Sequence, residues 1–299
     1  MLMKSTRVTN YIDSSIMNRP ILKYVDGNIM PQETIRAAAR PIEDYSVFLA
    51  SLVISGREES LIPIGSGTLI SCGSIYGIAT AHHVISNRIY QNANQIALVV
   101  GKDTRREICL RENLTEIVVG KPTAPNNKPD LALIQLPDAH IGWLKAKKSF
   151  WNLDIWRERI AKIEFPREAG LWFVCGAAVN MKGIKVDYTP NREVRIFPGI
   201  HAYSGAPDFS EEGEYDYCEI EVDLPGVEDR QKDFGGVSGG GVWRVILIQK
   251  KDGAIRIGRA LYCGVPFYQT KIDNEGKRKI LCHGTSSIYE KLYARLRAE

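Results

Sequence analysis

Residues 236–249 read GVSGGGVWRVILIQ, and the fold class turns on the residues just after Ser238. A serine in a glycine-rich bend can lead into a helix or into a strand. Here it leads into Val242-Trp-Arg-Val-Ile-Leu-Ile, whose β-branched and aromatic content is that of a strand. An all-β architecture is therefore the expectation from this stretch.

Working outward, similar short runs recur on both sides. Before the bend lie SVFLASLVI (46–54), GSGTLIS (65–71), SIYGIAT (74–80), QIALVV (95–100), TEIVV (115–119) and LALIQL (131–136). A second group comprises LWFVCGAAV (171–179), GIKVDYT (183–189), EVRIF (193–197), YCEIEVDL (217–224), the run after Ser238, IGRALYCGV (257–265) and KILC (279–282). Glycine, asparagine, aspartate or lysine clusters separate them. Short strands punctuated this way predict barrels or sandwiches. Two groups in 299 residues give enough chain for two cores. The expected layout is an N-terminal extension (1–45), a first β group (46–137), a connection containing helix (138–165), a second β group (166–286) and a C-terminal helix (287–299). Pro31–Arg40 reads as a short helix opened by proline. Ile288, Leu292 and Leu296 recur every fourth residue, as on an amphipathic helix.

A formal net charge of +4, with no long basic block, predicts neither nucleic-acid nor membrane binding. No window approaches the roughly 20 apolar residues of a bilayer span. The N-terminal MLMKSTRVTNYIDSS lacks the apolar run of a secretory signal. Cys72, Cys109, Cys175, Cys218, Cys263 and Cys282 form no CxxC or zinc-ligand spacing, so neither metal nor cofactor is expected. Buried, reduced thiols and a cytoplasmic location are the expectation. The Asn113-Leu-Thr sequon would then be idle.

Three motifs carry chemistry: Ala79-Thr-Ala-His-His-Val84 at a strand end, Asp130-Leu-Ala-Leu-Ile opening an apolar strand, and Gly236-Val-Ser-Gly-Gly-Gly241. A serine hydroxyl becomes a useful nucleophile when a base takes its proton. Imidazole, with a reference pKa of about 6.5, suits that task near neutral pH. A buried carboxylate fixes its tautomer and stabilises the imidazolium. Glycines permit the backbone turn that aims N–H groups at an oxyanion.

The Thr-Ala-x-His, Asp-Leu-Ala-Leu and Gly-x-Ser-Gly-Gly motifs, in the order His, Asp, Ser, resemble those of the trypsin-like (chymotrypsin-fold) serine peptidases, in a bacterial intracellular style. Gly65-Ser-Gly-Thr-Leu-Ile resembles that family's first strand pair, and the likeness covers about residues 46–299. It implies two antiparallel six-stranded β-barrels. It makes Ser238 the nucleophile, His83 the base and then acid, and Asp130 the orienting acid, with the backbone N–H groups of Gly236 and Ser238 as the oxyanion hole. Peptide bonds of a protein or peptide substrate would be hydrolysed through an acyl-enzyme. His82 is the competing base and Asp103 the fallback acid; His140 and His201 are expected to be exposed.

Departures from the family are informative. Val84, Gly65 and Phe234 stand where secreted relatives carry cysteines, which agrees with a reducing compartment. Val237 stands where they carry the aspartate that pairs with a newly cleaved N-terminus. Activation by cleavage is therefore not expected, and the oxyanion loop must be ordered by packing, by substrate or by an activating protein partner. The resemblance puts Lys232 at the floor of the specificity pocket, with Pro266, Phe267, Tyr268 and His283 beside it. Lys232 and His283 together would favour an acidic side chain; the alternative is a solvated lysine and a packed, hydrogen-bonded histidine.

Two rival functions remain. Gly236-x-Ser238-x-Gly240, with Asp273 and His283 later in the chain, has the order of an α/β-hydrolase, but the helix such a serine must precede is missing. A catalytically silent protease-fold module that binds peptides is the non-enzymatic alternative. Compact proteins of this style also resemble bacterial stress or antiphage-defence effectors.

Overall fold

A computed structural model describes residues 32–299 except 56–57, 91–94, 101–106, 111–113, 124–127, 164–169, 178–184, 190–191, 197–200, 223–234, 250–253 and 272–277. The chain opens with α1 (Gln32–Glu43). The first half then forms β1 (Ser46–Ser55), β2 (Glu58–Cys72), β3 (Ile75–Thr80), α2 (His82–Tyr90), β4 (Gln95–Val99), β5 (Glu107–Leu110), β6 (Thr115–Gly120) and β7 (Leu131–Gln135). The connection holds α3 (Asp138–Lys145), β8 (Trp151–Asn152) and α4 (Leu153–Ala161). The second half holds β9 (Leu171–Gly176), β10 (Lys185–Thr189), β11 (Arg192–Ile196), β12 (His201–Glu212), β13 (Tyr215–Val222), β14 (Gly241–Gln249), β15 (Ile255–Gly264), β16 (Pro266–Gln269) and β17 (Lys279–His283). A π-wound segment, Ser287–Leu292, runs into α5 (Tyr293–Arg297) at the C-terminus.

Two main sheets carry the fold, and β10–β11 form a separate pair. Among the described residues every strand pairing is antiparallel except β2 with β8. The first sheet runs β5-β4-β1-β2-β3-β7-β6, with β8 added on β2, and the second runs β15-β14-β9-β12-β13-β17-β16. In each, the two ends of the path are consecutive in the chain. Five residue steps separate Leu110 from Thr115, a reach of at most about 19 Å, whereas seven flat strands would part their ends by about 29 Å. Only Val265 separates β15 from β16. Both sheets therefore curl until their ends meet. Counted as interrupted single strands, β5/β6 and β15/β16 each close a ring of six, the chymotrypsin-like arrangement of two antiparallel β-barrels.

A core cluster spans both barrels, from Ile78 and Leu133 through Phe173 to Trp243. At their junction the connection is pinned by aromatics. Trp151 stacks on Trp156 at 4.3 Å and meets Trp243 edge-on at 5.3 Å. Trp151 Nε1–H donates to the Tyr289 hydroxyl at 2.7 Å, which donates to the Tyr262 carbonyl at 3.0 Å. Trp151, which is buried, and Trp156 thus serve the barrel junction. Helix α1 extends past Arg40 to Glu43 because Ala38, Ala39 and Ile42 form a buried stripe. Ile288, Leu292 and Leu296 are all buried at the C-terminus. Cys72, Cys175, Cys218, Cys263 and Cys282 are buried and free. Among the described residues no helix is long and apolar enough to cross a membrane.

Candidate active site

Strand β3 delivers the chain to Ala81, and α2 starts at His82. Strand β7 lies antiparallel to β3 with Thr80 opposite Ala132, so Asp130, one residue before β7, meets the first turn of α2. The N–H groups of a first helical turn lack intrahelical partners and favour a carboxylate. Helix α2 has no acidic residue of its own there; Asp130 supplies one from β7. The His83 backbone N–H donates to Asp130 Oδ1 at 2.9 Å, and His83 Nδ1–H donates to Oδ2 at 2.6 Å. The Asp130 side chain is 4% exposed and that of His83 is 32% exposed. A carboxylate at Nδ1 selects the tautomer with the proton on that nitrogen, leaving the Nε2 lone pair free to accept one.

Ser238 belongs to the turn before β14. Gly236 and Gly239 have φ of +91° and +83°, a region costly to any residue with a Cβ. A Cβ at Gly239 would also run into Thr80 Oγ1 and the Ser66 carbonyl. The turn is stitched on two sides. Gly239 N–H donates to the Pro266 carbonyl at 2.6 Å, and Ser66 N–H, from β2 of the first barrel, donates to the Ser238 carbonyl at 2.8 Å. A Cβ placed on Gly65 would lie 2.9 Å from the Ser238 carbonyl oxygen and 2.7 Å from the Val84 side chain. The serine turn thus packs against the segment that carries His83. Among the described residues no hydrogen bond joins the Ser238 hydroxyl to His83; in resting enzymes that bond is often long and tightens with substrate.

The peptide between Val237 and Ser238 has a defined direction. The Val237 carbonyl accepts Gly240 N–H at 3.0 Å. In a planar trans peptide the Ser238 N–H then points the opposite way. Among the described residues neither Gly236 N–H nor Ser238 N–H has a protein acceptor.

The other residues singled out in the sequence fall in different places. His82 is half-buried, and its Nδ1 has no hydrogen-bond partner, so it lacks the carboxylate that His83 has. His140 is half-buried rather than exposed. Lys232, Phe234, Asp103 and Asp273 lie outside the described residues, as does the side chain of His201. Pro266 and Phe267 are buried, and Tyr268 is 43% exposed. His283 is completely buried, with Nε2 accepting the Asp130 backbone N–H at 3.0 Å and Nδ1 3.3 Å from Ser287 Oγ. It stands behind the carboxylate rather than on a pocket surface, as the packed, hydrogen-bonded alternative anticipated. Burial pushes its pKa down to about 4, against the opposing pull of Asp130 and Asp216. No local signal foretold this contact, because its partners are 153 positions apart. Ser238 precedes a strand of an antiparallel sheet, which removes the α/β-hydrolase elbow. Among the described residues no cluster of His, Cys, Asp and Glu is arranged to hold a metal ion.

Neither a family model nor a curated protein sequence matches this chain. Among solved structures, it is similar to the active form of the Rv3671c protease from M. tuberculosis. The sequence identity is 15% and the TM-score 0.46, over 90% of this chain and 86% of that one. A catalytically inactive tobacco etch virus protease complexed with substrate matches at 10% identity and a TM-score of 0.40, over 87% of each chain.

Proposed function

We propose that the chain is a serine endopeptidase of trypsin-like type. What carries this reading is the 2.6 Å bond from His83 Nδ1 to Asp130 Oδ2 beside a glycine turn that holds Ser238 at the barrel junction. In the proposed cycle, Ser238 Oγ attacks a peptide carbonyl while His83 Nε2 takes the hydroxyl proton. Asp130 stabilises the resulting imidazolium. The unpartnered N–H groups of Gly236 and Ser238 donate to the developing oxyanion. His83 then returns the proton to the leaving amine, and water repeats the sequence to release the acid and restore Ser238. No cofactor enters any step. Among the described residues, Cys72, Cys175, Cys218, Cys263 and Cys282 are buried and free, which fits a cytoplasmic setting.

The test is cleavage of a proteome-derived peptide library by the wild type beside Ser238→Ala, read by mass spectrometry. Cleavage present in the wild type and lost in the variant is the expected result. Equal background cleavage by both, with peptide binding retained, would favour the silent binding module.

A further inference from the structure

We infer that Ser66 is a positioning residue that orders the oxyanion loop within the chain itself, in place of a cleaved N-terminus or an activating protein. The inference rests on the serine-peptidase reading, which makes the N–H groups of Gly236 and Ser238 the oxyanion donors. Val237 occupies the place where secreted relatives are expected to use a charged pair, so the loop needs another anchor. The Ser66 hydroxyl is one. It donates to the Gly236 carbonyl at 2.7 Å and accepts the Ala177 N–H at 2.9 Å. Ser66 is wholly buried, so water cannot replace either bond. One hydroxyl therefore ties the loop at Gly236 to Ala177, the residue just after β9, from a residue on β2.

The hydroxyl does not act alone. The Ser66 backbone N–H holds the Ser238 carbonyl, and the Ser66 carbonyl accepts the Thr80 hydroxyl at 2.8 Å. Ser66 is thus fixed by the strand that leads to His83 while it fixes both flanks of Val237. The Val237 side chain is the second anchor. It is 1% exposed and packs in the second barrel's own cluster with Trp172, Val174, Cys218 and Val242. Gly176, next to Ala177, lets this approach happen: a Cβ there would lie 2.9 Å from Val237 Cα and 3.1 Å from Ser66 Oγ. An apolar plug and a buried hydroxyl replace a charged pair that would require a free amine. Such a loop is ready before substrate arrives, which is what electrostatic preorganisation demands.

The experiment is fluorophosphonate labelling of the full chain, purified with no other protein present, with the modified residue located by mass spectrometry. Wild type, Ser66→Ala, Ser66→Thr and Ser46→Ala are compared. Ser46 is also fully buried and donates to the Ile42 carbonyl at 3.2 Å, so Ser46→Ala reads the general effect of losing a buried hydroxyl. Wild type and Ser46→Ala are expected to take label fully at Ser238. Ser66→Ala should label about 10²-fold more slowly, the scale of a lost oxyanion donor, at a thermal midpoint no lower than that of Ser46→Ala. Ser66→Thr, which keeps the hydroxyl, should recover most of the loss. If Ser66→Ala does not fold, Ser66→Cys, a weak donor of similar size, takes its place under the same criteria. Equal rates for wild type and Ser66→Ala overturn the inference and leave the peptidase reading intact. An unlabelled wild type also overturns it, and the low-field His83 Nδ1 proton resonance then separates the causes. If that resonance is present in wild type and lost in Asp130→Asn, only the self-ordered loop has failed; if it is absent from wild type, the triad reading fails too.

Discussion

The backbone N–H of Asp130 donates to Nε2 of His283 across 3.0 Å, joining the first barrel to strand β17 of the second directly behind the carboxylate that holds His83. The His283 ring is enclosed by Phe267 and Tyr217 at centroid distances of 4.9 and 5.1 Å. Because Nε2 accepts an N–H, the ring is neutral and its proton lies on Nδ1, facing Ser287 Oγ. Ser287 is held by Asp216 through backbone and side-chain bonds of 2.6 and 2.9 Å.

This neutral histidine sets an acid limit on stability. Its pKa is pushed down to about 4 by burial in the fold, whereas an unfolded histidine titrates near 6.5. Between those values the unfolded chain binds more protons, so stability falls as pH drops from about 6.5 to about 4 and then levels off, a loss of about 3 kcal/mol from this group. Thermal midpoints across that window should fall more steeply for wild type than for His283→Gln, whose amide has no such titration. Parallel slopes would exclude His283 as the source.

Asp130→Asn should leave the fold nearly intact, since the amide can sit in the same place. Its NH₂ would face His83 Nδ1 and drive the ring proton to Nε2, removing the base. A drop in kcat of about 10⁴-fold is expected, with little change in KM. Steady-state kinetics on a cleaved peptide, alongside a melting curve, checks it; a loss below tenfold would count against the assigned role.

Val237→Asp places a carboxylate immediately before Ser238, and it should harm this protein. The side chain is 1% exposed among Trp172, Val174 and Val242. An unpaired carboxylate there costs on the order of 2–4 kcal/mol. Urea denaturation should show a lower midpoint at neutral pH, and fluorophosphonate labelling should slow. A variant as stable as wild type would mean that the loop does not rely on the apolar plug.

The described thiols should be inert while the chain is folded. Burial pushes Cys175 and Cys263 up to about 12 and Cys72 up to about 11, and the thiolate is the reactive form. Titration with an aromatic disulfide at pH 8 should leave Cys72, Cys175, Cys218, Cys263 and Cys282 unmodified until denaturant is added. Rapid modification of any of them in the native protein contradicts their placement.

Much of the fold was legible along the chain. Short β-branched runs mark the strands, Ile288, Leu292 and Leu296 mark a buried helical face, and the strand after Ser238 excludes a helical elbow. These signals are local: the side-chain periods of strand and helix follow from backbone geometry over a few residues. The motifs around His83, Asp130 and Ser238 can likewise be read along the chain, because each spans only a few consecutive residues. His283 was legible only in part: a packed, hydrogen-bonded ring was one of its two readings, but its partner, the Asp130 backbone, depends on how one barrel meets the other.

By itself, then, the sequence determined the strand-rich class, the two tandem groups, the apolar environment of the cysteines and the residues to test for chemistry. The tertiary structure alone decided that β5/β6 and β15/β16 close the barrels, that Trp151 reaches Tyr289, and that the Ser66 hydroxyl reaches Gly236, 170 positions away. The physical reason is range. A residue's conformational preference acts through its immediate neighbours, whereas a hydrogen bond between barrels exists only after every intervening pairing has set the distance.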